Sequence, residues 1–188
     1  MPTNLMKSFI NPEISVTGKK LLAFQFEGSE NDSFWNLLRD HGVIGYAMPD
    51  GHTFQAAWLF RLICDGDMLI EFSSACTRVL GWQEVGTLNI RLMCRACEEP
   101  YDECHMPLKI VSPAIPLKGI EKLVYEDDDV ITECGLVLCG LDGKEIVIAA
   151  GISPGSVSVA ATFAEGKFEP QFPLSMCKRE SMVSKTIT

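Results

Sequence analysis

The sequence predicts a single-domain protein of the mainly antiparallel β or α+β class, with at least two β-hairpins and one or two short helices. Apolar and polar residues alternate with a period of two over several segments, which is typical of half-buried strands. Two Asp-Gly turns, Asp65-Gly66 and Asp142-Gly143, each lie between two such segments. The 188 residues, 47% of them hydrophobic and 22% charged, can form one buried core and are too apolar for a disordered chain.

The N-terminal part predicts one strand followed by one helix. Residues 20–27 alternate, so one face of the strand carries Leu22, Phe24 and Phe26. Turn-forming residues follow, and residues 33–40 then predict a helix that Asp32 or Ser33 caps and that ends before Gly42. The apolar stripe expected on this helix consists of Phe34, Leu37 and Leu38.

Both Asp-Gly turns predict hairpins. The first hairpin spans residues 54–72, and the second joins residues 136–141 to residues 145–150. Gly supports this reading because it tolerates the positive φ that tight hairpin turns require. One face of the first hairpin is expected to carry Phe60, Leu62 and Cys64 on one strand and Met68, Ile70 and Phe72 on the other.

Two further strands are predicted at residues 88–94 and 156–161. In the first of them Leu88, Ile90, Leu92 and Cys94 occupy one face, and Thr87, Asn89 and Arg91 occupy the other. Beyond Glu169 the composition shifts to Pro170, Pro173 and a Lys/Ser/Thr-rich end. This shift predicts a globular domain over residues 1–169 and a docked strap with a frayed tail over residues 170–188.

The charge balance excludes one class of partner. The chain carries 16 Lys and Arg against 25 Asp and Glu, a net charge of −9, and its pI is about 4.8. Electrostatic binding of nucleic acid requires clustered Lys and Arg, so this class is not expected. The longest apolar stretch, residues 146–152, is far shorter than the roughly 20 residues of a membrane-spanning helix. Residues 1–7 have no apolar segment of the secretory type, so we expect a cytoplasmic protein with free thiols.

The acidic residues concentrate in the second half of the chain. Residues 1–94 carry a net charge of −3, and residues 95–188 carry a net charge of −6. Many of them lie in two predicted loops, residues 98–103 and residues 126–129. Clustered carboxylates speed the association of a basic partner and select complementary surfaces, so these two acidic loops are candidate partner contacts. Trp82, in a predicted loop, is a candidate aromatic anchor. The predicted partner-binding residues are Glu98, Glu99, Asp102, Glu103, Glu126, Asp127, Asp128, Asp129 and Trp82.

One cluster has metal-ligand spacing. Cys94 and Cys97 form a Cys-x-x-Cys pair, and Cys104 with His105 follows nearby. Such a pair binds tetrahedral zinc when two further ligands complete the site, which here are drawn from Cys104, His105, Cys134 or Cys139. Adjacent residues of an extended chain point to opposite sides, so joint ligation by Cys104 and His105 is awkward. The alternative is a Cys-rich strand end with Cys94 in the core, and no cofactor is the favoured expectation.

Catalytic chemistry has little support in the motifs. The chain has no Gly-x-Ser-x-Gly, Gly-x-Gly-x-x-Gly or His-Glu-x-x-His sequence. The pairs Asp50 with His52 and Asp65 with Asp67 lie in turns, where Asp commonly accepts local backbone hydrogen bonds. We therefore assign no catalytic residue, although an enzyme whose residues assemble only in space stays open.

Residues 133–138 followed by residues 142–148 form a strand–turn–strand pattern. This pattern resembles a hairpin of small bacterial immunity proteins, which neutralise secreted toxins, including those of contact-dependent inhibition systems. The resemblance implies a cytoplasmic, acidic, non-catalytic protein that binds a basic toxin domain, and it transfers no individual residue. The alternatives are a small zinc-binding or thiol-dependent enzyme built on Cys94, Cys97, Cys104 and His105, and a homo-oligomer that pairs exposed strand edges.

Overall fold

The alternating segments form strands that join in one curled, mixed sheet. The computed structural model of the chain describes residues 8–28, 33–79, 83–95 and 106–182. The described helices are α1 (Phe34–Leu38) and a 3-10 turn at Leu174–Met176. The strands are β1 (Glu13–Ile14), β2 (Lys20–Leu22), β3 (Gln25–Glu27), β4 (Gly42–Ala47), β5 (Phe60–Cys64), β6 (Met68–Val79), β7 (Gln83–Cys94), β8 (Lys109–Glu126), β9 (Val130–Gly140), β10 (Glu145–Ala150), β11 (Val157–Ala160) and β12 (Cys177–Ser181). The predicted β-rich, single-domain class is confirmed.

The main path of the sheet runs in the order β1-β2-β9-β8-β4-β5-β6-β7-β3. Beside this path, β10 pairs with both β9 and β11, and β12 pairs with β8. The pairs β2–β9 and β3–β7 are parallel, and the other strand pairs are antiparallel. β2 and β3, which follow each other in the chain, thus attach to two distant strands.

Both Asp-Gly hairpins are confirmed. β5 and β6 pair with Phe60 opposite Phe72 and Cys64 opposite Met68, so the predicted faces coincide. β9 and β10 pair around the second turn with Cys139 opposite Glu145. Gly66 and Gly143 have φ values of +71° and +81°, which L-residues with side chains rarely adopt.

The prediction of one strand over residues 20–27 was wrong, because the chain crosses there from β9 to β7 and forms β2 and β3 separately. The helix is also shorter than predicted. Its buried residues are Phe34, Trp35 and Leu38, whereas Leu37 is exposed. Ser33 precedes it without a side-chain capping bond, and Gly42 begins β4.

β8 was not predicted, because Pro113 and Pro116 interrupt its alternation. The register with β4 shifts between Val43, opposite Ile115, and Gly45, opposite Ile110. Pro113 lies inside this irregularity, where the ladder does not require its missing N–H. β8 therefore accommodates Pro113 at the register shift with β4, a position that depends on the pairing of the two strands.

The sheet curls so that β7 faces β9. The Thr87 and Thr132 hydroxyls lie 3.0 Å apart, and the Thr132 hydroxyl donates to the Gly86 carbonyl oxygen at 2.9 Å. The main core between the layers includes Phe60, Phe72 and Ile90, all fully buried. Among the described residues, no helix is long and apolar enough to cross a membrane.

The C-terminal segment covers the outer face of β8–β10. Phe172 stacks on Tyr125 with ring centroids 3.9 Å apart. Phe168, Leu174 and Cys177 pack with Phe172 against a second core cluster that contains Leu123 and Val137. β12, which the composition did not predict, then hydrogen-bonds to β8.

Gly135 on β9 gives a stability prediction. An added Cβ there would lie 2.9 Å from the Ile148 carbonyl oxygen and 2.9 Å from Leu123 Cδ1. A Cβ added at Gly119 on β8 would meet no atom within 4 Å, so Gly119 provides a matched control. We expect Gly135→Ala to lower the free energy of unfolding by about 1–3 kcal/mol through overpacking, and Gly119→Ala to leave it unchanged or slightly raised. Equal urea midpoints for the two variants would contradict this packing.

Candidate functional site

The predicted partner residues fall into two groups. Glu98, Glu99, Asp102, Glu103 and Trp82 lie outside the described residues. The acidic loop at residues 126–129 connects β8 to β9, at the end of the sheet that also contains β1 and β2.

Two of the four carboxylates in this turn have structural partners. Glu126 bonds Lys19 Nζ and Lys178 Nζ, each at 2.8 Å, and these two ammonium groups lower its pKa to about 2. Asp127 Oδ1 accepts from the backbone N–H groups of Asp129 and Val130 at 2.9 and 2.8 Å. Glu126 therefore ties together three segments of the chain, and Asp127 closes the turn.

Asp128 and Asp129 are exposed, and they precede β9 next to β2, the neighbour of the edge strand β1. The Lys20 N–H donates to the Asp129 carbonyl oxygen at 2.9 Å, and Lys20 is in turn paired with Ile14 of β1. Ile14 is 68% exposed and Val16 is fully exposed. β1 ends the strand order, and no described strand pairs with its outer edge. We call Ile14, Val16, Asp128 and Asp129 the β1 edge surface.

The described thiols differ in acidity. Burial, followed by the charge of Asp65, raises the pKa of Cys64 to about 12. Cys134 on β9 and Cys177 on β12 belong to the two strands that flank this part of β8, and their sulfurs lie 3.8 Å apart. Their mutual hydrogen bond, followed by burial, raises the pKa of Cys134, and the same hydrogen bond lowers the pKa of the more exposed Cys177. Cys64 and Cys134 are thus protonated at neutral pH.

The predicted zinc ligands are only partly described. Cys94 ends β7 and is exposed rather than in the core, with its sulfur 3.4 Å from Asp67 Oδ2. Its exposure corrects the expectation of a buried strand end. Cys97, Cys104 and His105 lie outside the described residues. Within the described ranges there is no group of three or more potential metal ligands.

The predicted turn pairs are partly rearranged. His41 Nδ1 lies 2.7 Å from Asp65 Oδ1, and Asp65 Oδ2 accepts from the Gly42 N–H at 3.2 Å. This contact joins the segment after α1 to the β5–β6 turn, a pairing that sequence spacing did not reveal. His52 Nδ1 accepts from the Trp58 N–H at 3.3 Å, a local backbone hydrogen bond that the sequence predicted for Asp rather than His.

A polar layer on β3, β5, β6 and β7 was also missed. Arg61, Glu71, Arg91 and Glu27 stand directly opposite one another across these four strands. Glu71 accepts from Arg61 Nε at 2.8 Å and from Arg91 Nη1 at 3.3 Å. Arg91 also donates to Glu27 through Nη2 at 2.9 Å and Nε at 3.0 Å. We call these four residues the Arg/Glu row.

A second polar row runs parallel to the first. Gln25, Asn89 and Ser73 are opposite one another on β3, β7 and β6. Asn89 accepts from Gln25 Nε2 at 2.8 Å and donates to Ser73 Oγ at 3.1 Å. The sequence contains a signal for these rows, since polar residues recur at alternate positions, Glu71 and Ser73 in β6 and Asn89 and Arg91 in β7, but the register shows only in the pairing.

The β6 and β7 members of these polar rows form the floor of a cleft of about 700 Å³. Glu71, Ser73, Asn89 and Arg91 line it from below, and Trp58 and Phe9 flank it. Trp58 is 43% exposed and Phe9 is 54% exposed, although both side chains are large and apolar. We call this feature the polar cleft.

Comparison with protein-family models, curated proteins and solved structures gives no match. Among the described residues, two features suggest a function, the β1 edge surface and the polar cleft.

Proposed function

We propose that this protein is a non-catalytic binding protein whose partner is a basic protein domain, most concretely a bacterial toxin domain that it neutralises as a cytoplasmic immunity protein. The observation that carries the proposal is the β1 edge surface. It combines exposed Ile14 of the edge strand β1 and exposed Val16 just beyond it with exposed Asp128 and Asp129 next to β2.

The chemistry of this surface favours a protein partner. Burial of Ile14 and Val16 would provide apolar contact area, and the open edge offers backbone groups for pairing. The carboxylates favour a partner with Lys and Arg, in keeping with the net charge of −9. Glu98, Glu99, Asp102, Glu103 and Trp82 stay in the proposal as further contacts.

A non-catalytic role agrees with the state of the two buried thiols and of two acidic residues between β8 and β9. Cys64 and Cys134 carry raised pKa values, so neither supplies a thiolate near neutral pH. Glu126 and Asp127 are engaged by lysines and by backbone N–H groups. The segment whose pattern resembles a hairpin of immunity proteins forms the hairpin β9–β10. Hairpins of this type are common in β proteins.

The direct test is protection from a toxin. The proposal expects that a large secreted protein with a variable C-terminal domain is encoded directly upstream. Expression of that C-terminal domain alone should stop growth, and coexpression with this protein should restore it through a stable complex. Absence of such a gene, or growth arrest that this protein does not relieve, would contradict the proposal.

A charge-reversal pair tests the surface itself. We expect Asp128→Lys to slow association with the toxin domain about tenfold at low salt, because steering by clustered charge is lost. Asp142→Lys is the matched control, since Asp142 is an exposed carboxylate at the opposite end of β9. Stopped-flow association rates at several salt concentrations measure both variants. Equal rates for the two variants would exclude the β1 edge surface.

The alternative function, a zinc-binding or thiol-dependent enzyme, rests on exposed Cys94 at the start of the segment that contains Cys97, Cys104 and His105. Metal analysis of the purified protein distinguishes it. Stoichiometric zinc that is lost in Cys97→Ser would favour this alternative over the immunity role.

A further inference from the structure

We propose that the polar cleft is a binding site for a neutral saccharide. The proposal is independent of the β1 edge surface, because the cleft lies on β6 and β7, whereas that surface lies on β1 and the β8–β9 turn. It follows from the charge balance of the floor, the hydrogen-bonding groups there and the aromatic flanks.

The floor favours an uncharged ligand. Of the Arg/Glu row, Arg91 and Glu71 line the cleft, so its floor carries one guanidinium group and one carboxylate and has no net charge. Both oxygens of Glu71 already accept from arginines, at 2.8 and 3.3 Å. An ionic ligand would have to displace one of these nearly buried pairs, which is costly. Glu84, at the rim, accepts from the Cys76 thiol at 3.6 Å and adds one exposed carboxylate.

The same floor offers directional hydrogen bonds. Ser73 Oγ accepts from Asn89 at 3.1 Å, so its own hydroxyl proton can donate into the cleft. Carboxylate oxygens keep further lone pairs beyond those used by the arginines. Fixed side chains of this kind suit the hydroxyl groups of a sugar, each of which both donates and accepts.

The flanks suit the faces of a sugar ring. The C–H groups on these faces carry partial positive charge, and aromatic ring faces carry partial negative charge. Trp58 and Phe9 are about half exposed at the cleft, where such a ring would cover them. The volume of about 700 Å³ lies within the usual range for small-molecule sites. A basic side chain of a protein partner is the competing occupant, since Trp58 and Glu84 would also favour a cation.

Saturation-transfer NMR with glucose, galactose and N-acetylglucosamine, each added to the intact protein, tests the site. We expect saturation transfer to at least one sugar and little change of its affinity with salt. Trp58→Ala and Phe9→Ala should each weaken that sugar about five- to tenfold. Leu141→Ala is the control, because Leu141 is 66% exposed and does not line the cleft.

Three results would overturn the proposal. The first is an absence of transfer to all three sugars. The second is transfer that persists unchanged in both aromatic variants. The third is binding of N-acetyl-lysine methylamide in place of the sugars, which would assign the cleft to a basic side chain. Unfolding curves of the variants show whether each one is folded, and both flanking residues are exposed enough for replacement.

Discussion

Glu71→Gln is expected to lower the free energy of unfolding by about 3–5 kcal/mol, because it removes the carboxylate that lies between two nearly buried guanidinium groups. Arg61 and Arg91 side chains are 12% and 9% exposed, and both bond Glu71. Arg91 keeps Glu27, but Arg61 would lose its carboxylate partner in the Arg/Glu row.

Glu126→Gln is the matched control for this prediction. Glu126 also lies between two cations, Lys19 and Lys178, but at the surface, where water screens their charges. Its effect on stability should be much smaller than that of Glu71→Gln. Urea unfolding of both variants measures the difference, and a comparable loss in the two would show that the Arg/Glu row is not a buried ionic network.

Phe60→Ala is expected to cost about 3–5 kcal/mol of unfolding free energy, through lost burial and the cavity that it leaves. Phe60 is fully buried on β5, and its ring lies 6.1 Å from Phe54 and 6.4 Å from Phe72 between centroids. Both distances lie in the range of favourable aromatic pairs, which adds to the loss.

Phe9→Ala is a control for this prediction, since Phe9 is 54% exposed and its replacement opens no cavity in the core. Phe60→Leu should fall between the two, because leucine refills part of the space. Thermal and urea unfolding of the three variants establishes the order. A Phe60→Ala protein as stable as Phe9→Ala would mean that the β5–β6 hairpin does not anchor the main core.

The two hairpins show which parts of a fold are readable from local sequence. Gly66 and Gly143 follow Asp between alternating segments, and both adopt the positive φ that the turns require. Alternation then places Phe60 opposite Phe72 without knowledge of any other strand. Helix α1 was only partly predicted. The predicted apolar stripe included Leu37, which is exposed, and omitted Trp35, which is buried, because packing in the tertiary structure decides which side of so short a helix is covered.

The candidate sites were less accessible to such reasoning. The acidic run at residues 126–129 was evident, but only the structure separates Glu126 and Asp127, which have structural partners, from exposed Asp128 and Asp129. The open edge of β1 depends on the strand order of the whole sheet. The polar cleft was missed because residues remote in the chain meet there: Glu71 of β6 and Arg91 of β7 line it together with Phe9 and Trp58.

Local patterns are sufficient to predict the β-rich class, both hairpin turns and the acidic character, because alternation, turn chemistry and charge are local or additive properties. Three features depend on the tertiary structure: the attachment of β2 and β3 to two distant strands, the prolines within β8, and the row formed by Arg61, Glu71, Arg91 and Glu27. Each of these depends on the pairing register between segments remote in sequence. Many such registers satisfy the local pattern, and the packing of the whole core selects one of them.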